Sequence, residues 1–122
     1  MPALTTLTGA ATAAYSAALL VSPDLLLKPC GLASTHDSRA LTRLVGARDT
    51  AIGLAMVLAP AGAARRAAVG ARVASDWGDA AVLGAALKGR PTQAKVLGFA
   101  AAWGALCLAA LRYDERSAAT RR

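Results

Sequence analysis

Two arginines and three aspartates stand inside otherwise apolar stretches, and they are the residues best placed to do chemistry. Arg72, Asp76 and Asp79 follow one another at spacings of four and three. Those spacings put them on one helical face, where Arg72 pairs with Asp76 directly. Arg48 and Asp49 stand side by side in the preceding apolar segment. If the two segments are antiparallel helices, counting inward at about 1.5 Å per residue puts Arg48 and Asp79 at the same depth, roughly 13 Å. The expected pairs are therefore Arg48 with Asp79 and Arg72 with Asp76, with Asp49 left over.

Two chemistries fit this pattern. One is a buried charge network that fixes helix pairing and register. The other is a proton, ion or ligand site lined by Asp49, Asp76 and Asp79, the default reading for ionisable groups inside a membrane.

Four apolar segments must position these residues. Met1 to Ser22 contains no charge, and neither does Val96 to Leu111. A membrane-spanning helix needs about 20 predominantly apolar residues. Nothing basic precedes the first apolar run, so it reads as a retained helix and not a secretory signal. Its Thr5, Thr8, Thr12 and Ser16 share a face that would turn toward other helices. Residues 23–38 read as a connection punctuated by Pro23, Pro29 and Gly31, with Asp37 or Ser38 capping the next helix. Pro60 ends that helix, Gly89 and Pro91 end the third, and Thr92 is placed to cap the fourth. The expected architecture is all-α, a four-helix antiparallel transmembrane bundle. Its helices cover about 3–22, 39–59, 65–88 and 93–112, and a charged tail covers 113–122. Strand periodicity and hairpin turns are absent from the sequence.

Composition agrees with a membrane setting. The chain has 122 residues, 56% of them hydrophobic and 17% charged, and carries a net charge of +7. One domain is the limit at this length. Its cations lie at segment ends without interleaved aromatics for base stacking, which argues against nucleic acid and for flanking charges beside membrane spans. Four spans would put both termini on one side. Six flanking cations then fall on each side, and the density of the C-terminal cluster favours cytoplasmic termini.

The remaining candidates are weaker. His36 lies in a polar loop. Cys30 and Cys107 are expected more than about 15 Å apart, too far for a disulfide. Trp77 and Trp103 fall inside helices and read as packing residues. Gly46, Gly53, Gly70, Gly78, Gly84, Gly98 and Gly104 read as sites of close helix contact, above all Gly46, Gly53 and Gly78. No phosphate loop, zinc-ligand pair or nucleophile–base pair is present. The sequence calls for no metal or cofactor, and it points away from an enzyme.

The segment Gly46–Ala47–Arg48–Asp49, with Gly53 four residues on, and the later Asp76–Trp77–Gly78–Asp79 carry a resemblance. Over roughly residues 41–111 the chain resembles a family of small four-helix bacterial and fungal membrane proteins. That family has a G-x-R-D-x-x-x-G segment in one helix and an acidic G-D segment in the next, and is distantly similar to the DoxX-like membrane proteins. The resemblance implies a bacterial inner-membrane location and draws attention to Arg48, Asp49 and Asp79, but it carries over no activity. Two roles follow as expectations. The first is a membrane scaffold or accessory subunit whose partners are the lipid bilayer and itself or another membrane protein. The second is a proton- or ion-coupled small-molecule carrier acting as an oligomer.

Overall fold

The computed structural model describes residues 3–122, and among them every regular element is helical. Five helices follow in order: α1 (Leu4–Val21), α2 (Asp24–Cys30), α3 (His36–Leu58), α4 (Ala63–Ala86) and α5 (Gln93–Thr120). All-α therefore stands. The four-helix transmembrane bundle does not. There are five helices, and only α1 and α5 are both long enough and apolar enough to cross a membrane. The charges inside α3 and α4 lower their hydropathy below what a span requires.

The extra helix, α2, lies in the stretch expected to be a connection. Pro23 precedes its first residue, and Pro29, near its end, removes one intrahelical N–H donor. Gly31 ends it in the left-handed conformation (φ 71°), and the Leu32 amide donates back to the Leu27 carbonyl at 2.9 Å. Leu27 and Cys30 bury its inner face.

Neither Asp37 nor Ser38 is the N-cap of α3. Thr35 is: its hydroxyl accepts from the Ser38 amide at 3.1 Å, and Ser38 Oγ accepts from the Thr35 amide at 2.8 Å. That reciprocal pair is a capping box with serine as the third helical residue. Thr92 precedes α5 but does not cap it through its side chain. Its hydroxyl donates instead to the Cys30 carbonyl at 2.7 Å, tying the end of α2 to the start of α5. The last helix also runs to Thr120, well past the expected end.

Two side chains from other helices finish the helix ends. Asp114 on α5 accepts from the Leu4 amide at 3.0 Å and the Thr5 amide at 2.8 Å. A carboxylate at this end complements the exposed N–H groups and the positive pole of α1. Arg65 donates through Nε and Nη2 to the Ala59 carbonyl at the end of α3.

Two apolar clusters form the core. Met56, Ala68, Val69, Cys107 and Leu111 make one, with Ile52, Val73 and Trp103 against it. Cys30, Leu87 and Val96 make the other, backed by Leu26, Leu32 and Leu83. Both cysteines are free and buried. Along α4, Asp76 and Asp79 fall between Val73 of the first cluster and Leu83 of the second.

Candidate functional site

Helical phase decides which residues face inward. On α3, Thr42, Gly46, Asp49, Gly53 and Met56 are buried at alternating spacings of four and three. On α4, Ala68, Arg72, Asp76, Ala80 and Gly84 are buried every fourth residue. Each stripe carries charge to the interior because the charge occupies an inward phase.

All five candidate residues come together. Arg48 forms a bidentate pair with Asp79, Nη1 to Oδ1 at 3.1 Å and Nη2 to Oδ2 at 2.6 Å. This fork is the geometry that distinguishes arginine from lysine. Arg72 donates from Nη2 to Oδ1 of Asp76, one helical turn on. Asp49 is not left over. Its Oδ1 accepts from Arg48 Nε at 2.8 Å and lies 3.2 Å from Arg72 Nη1. Pairing by helix depth misses this, because it assigns each cation one partner while a guanidinium has five N–H groups to distribute. Asp49 joins the two expected pairs into one chain of alternating sign: Asp79, Arg48, Asp49, Arg72, Asp76.

The Asp79–Arg48 end of that chain is the more exposed. The side chains of Arg48 and Asp79 are 38% and 28% exposed, whereas that of Arg72 is 2% exposed. At the buried end, Arg72 Nε and Asp76 Oδ2 have no hydrogen-bond partner. Asp76 packs against α5 at Gly104, where an added Cβ would sit 3.3 Å from the Asp76 Cβ. Cys107, one turn further along α5, lies within electrostatic reach of Asp76 and Arg72.

The helix-packing glycines divide. A Cβ on Gly53 would lie 2.6 Å from the Ala13 amide nitrogen and 2.8 Å from the Gly9 carbonyl. One on Gly46 would lie 2.8 Å from the Ser16 carbonyl. Both glycines set the spacing of α1 against α3. Gly78 does not pack helix on helix: a Cβ there meets nothing within 4 Å, nor does one at Gly70 or Gly98. These three occupy outward phases. Gly84 and Gly104 lie at the α4–α5 contact, against Leu97 and Trp77 respectively.

Trp103 is inward and donates from Nε1 to the Thr12 hydroxyl at 3.0 Å. Trp77 is half exposed. His36 is exposed at the start of α3. Near it, the Ser34 hydroxyl donates to Asp24 at 2.6 Å. That bond, with Arg39 and Lys28 nearby, holds the Asp24 carboxyl below the ordinary carboxylate range. Among the described residues, no group of three or more His, Cys, Asp or Glu has the arrangement to hold a metal ion.

Sequence reasoning misses Asp114, which it places in the charged tail. The available signal was a carboxylate on the last helix at the level of the first helix's N-terminus. A cavity of about 640 Å³ opens beside it, lined by Leu4, Gly62, Arg65, Arg66, Glu115 and Arg122 among others, and none of the five network residues lines it.

No family model, curated protein or solved structure matches the chain. The DoxX-like resemblance rests on its short segments alone.

Proposed function

We propose that this chain is a small membrane-embedded scaffold or accessory subunit, with α1 and α5 crossing the bilayer and the Arg/Asp chain fixing α3 against α4. The observation that carries this reading is the inverted polarity of the molecule. Thr5, Thr12, Ser16, Thr42, Asp49, Arg72 and Asp76 are buried. Neither α1 nor α5 from Gly98 to Ala109 carries a charged residue, and on α3 from Leu44 to Leu58 and α4 from Ala67 to Ala86 the charged residues are the five of the Arg/Asp chain, of which Arg48 and Asp79 alone are partly exposed. Among the described residues, fifteen large hydrophobic side chains are exposed, including Leu7, Leu44, Leu58, Val82 and Phe99. In water, apolar surface on this scale is costly and marks an interaction face. Lipid removes the cost.

Two further observations support the reading. The windows of α1 and α5 that qualify as spans are only 28% buried, unlike a core helix of a soluble protein. Eighteen residues in α1 give a length of about 27 Å, close to the roughly 30 Å hydrocarbon thickness. The scaffold role draws on the outward faces of α4 and α5, where small residues such as Gly70, Ala74, Gly78 and Ala102 leave room for another helix.

Fractionation of the tagged full-length protein with alkaline carbonate extraction tests the membrane claim. The expected result is retention in the pellet until detergent is added. Release as a monodisperse soluble species overturns it. The scaffold claim predicts a partner, or further copies of the chain, in fixed stoichiometry after detergent solubilisation. A strictly monomeric protein at all concentrations overturns that part.

A further inference from the structure

We propose that the Arg/Asp chain is a proton-binding site that holds one exchangeable proton on Oδ2 of Asp76. This inference does not depend on the membrane reading, because Asp76 is buried by the protein itself.

The argument begins with charge. Three carboxylates face two guanidinium groups along the chain Asp79, Arg48, Asp49, Arg72, Asp76. Arginine stays protonated in proteins, so the fully ionised cluster carries one uncompensated negative charge. Burying such a charge is far more costly than burying a neutral acid. The cheapest correction is one proton on one carboxylate.

Geometry selects which carboxylate. Asp79 has both oxygens engaged by the fork of Arg48. Asp49 receives two arginines. Asp76 has a single cationic partner, which binds Oδ1, and its Oδ2 is buried with no partner at all. A proton on Oδ2 neutralises Asp76 and leaves Oδ1 free to accept from Arg72. The remaining four groups then form two balanced pairs.

No other charge facing Asp76 upsets this count. From α3 come Arg48 and Asp49, and α4 itself adds Arg72 and Asp79. On the α5 side stand Gly104 and the Cys107 thiol, a group that is neutral at neutral pH at its ordinary pKa of about 8.5. Helix α1 contains no charged residue. The partly exposed Arg48 and Asp79 form the more accessible end of the chain, so the proton has a polar path by which to exchange.

Infrared spectroscopy of the purified full-length protein tests the proposal. At about pH 6, carboxyl groups with ordinary pKa values near 4 are ionised, so a protonated-carboxyl band reports an unusual site. Such a band is expected in the wild type, moving in D2O and disappearing as the pH is raised. It should be absent from Asp76→Asn. Asp79→Asn supplies the same missing balance from the other end of the chain, so the midpoint for Asp76 should fall by about one pH unit or more. Absence of the band from the wild type overturns the proposal, as does its survival in folded Asp76→Asn. An unmoved midpoint in Asp79→Asn overturns it too. If Asp76→Asn fails to fold, the wild-type titration and Asp79→Asn decide alone.

Discussion

Helix α3 meets its two long neighbours by opposite means. Against α1 it offers Gly46 and Gly53, and backbone comes so close that even a methyl group would collide. Against α4 it offers Arg48 and Asp49, and long side chains bridge the gap. The first contact is governed by shape and the second by charge. Shape sets how near two helices come. Charge sets their sliding position, because a bidentate pair tolerates little displacement along the axis. A chain with few bulky side chains needs both, since smooth alanine-rich surfaces specify neither distance nor register well.

The largest effect should come from breaking the ionic contact at its buried centre. Arg72→Met leaves Asp49 short of one partner and Asp76 without its only one. The expected loss is about 3–5 kcal/mol, measured by chemical denaturation in detergent. A loss under about 1 kcal/mol would mean that the charges do not hold α3 to α4.

Next comes the shape contact. Gly53→Ala drives a Cβ into the Ala13 amide and the Gly9 carbonyl, so backbone must move. We expect a cost of about 1–3 kcal/mol, and crosslinking between cysteines placed on α1 and α3 should weaken. Unchanged crosslinking would show that α1 yields freely.

Asp79→Asn should cost less, about 1 kcal/mol, because the pair it breaks is partly exposed and solvent screens it. If its thermal melt matches that of Arg72→Met, the outer and inner ends of the charge chain are equally important and the gradient of burial is irrelevant. Smallest of all is Gly78→Ala. With open space around the Cβ, only helix propensity acts, and a gain of up to about 1 kcal/mol is expected. In the proposed scaffold, the same substitution weakens partner association without lowering stability.

The contrast between the two faces also explains what the sequence made legible. Arg48 with Asp79 and Arg72 with Asp76 followed from spacing and depth alone. The bridging of Asp49 did not, because depth treats helices in pairs while Asp49 sits where two arginines of different helices converge. The seven glycines inside the long helices after α1 read alike as packing residues. Gly53 lies in phase with the buried Asp49 and Met56, and Gly78 lies between the exposed Ala74 and Ala81, so helical phase separated them. The interior hydroxyl face of α1 was visible in Thr5, Thr12 and Ser16. Helix α2 was hidden by two prolines whose usual meaning is a break. The number of spanning helices was over-read for a related reason: length was credited to α3 and α4 although their charges lower the hydropathy that a span requires.

The carboxylate of Asp114 is separated from the amides it receives by more than a hundred residues. A ribosome makes α1 more than a hundred residues before Asp114. Throughout synthesis the first turn of α1 has no protein acceptor for those two N–H groups, and water or lipid headgroups must serve until α5 emerges. Helix α1 is therefore completed by α5, and its attachment waits until Asp114 has been made. Asp114→Ala should leave that step undone, costing about 1 kcal/mol and raising hydrogen exchange at Leu4 and Thr5 while the rest of α1 stays protected.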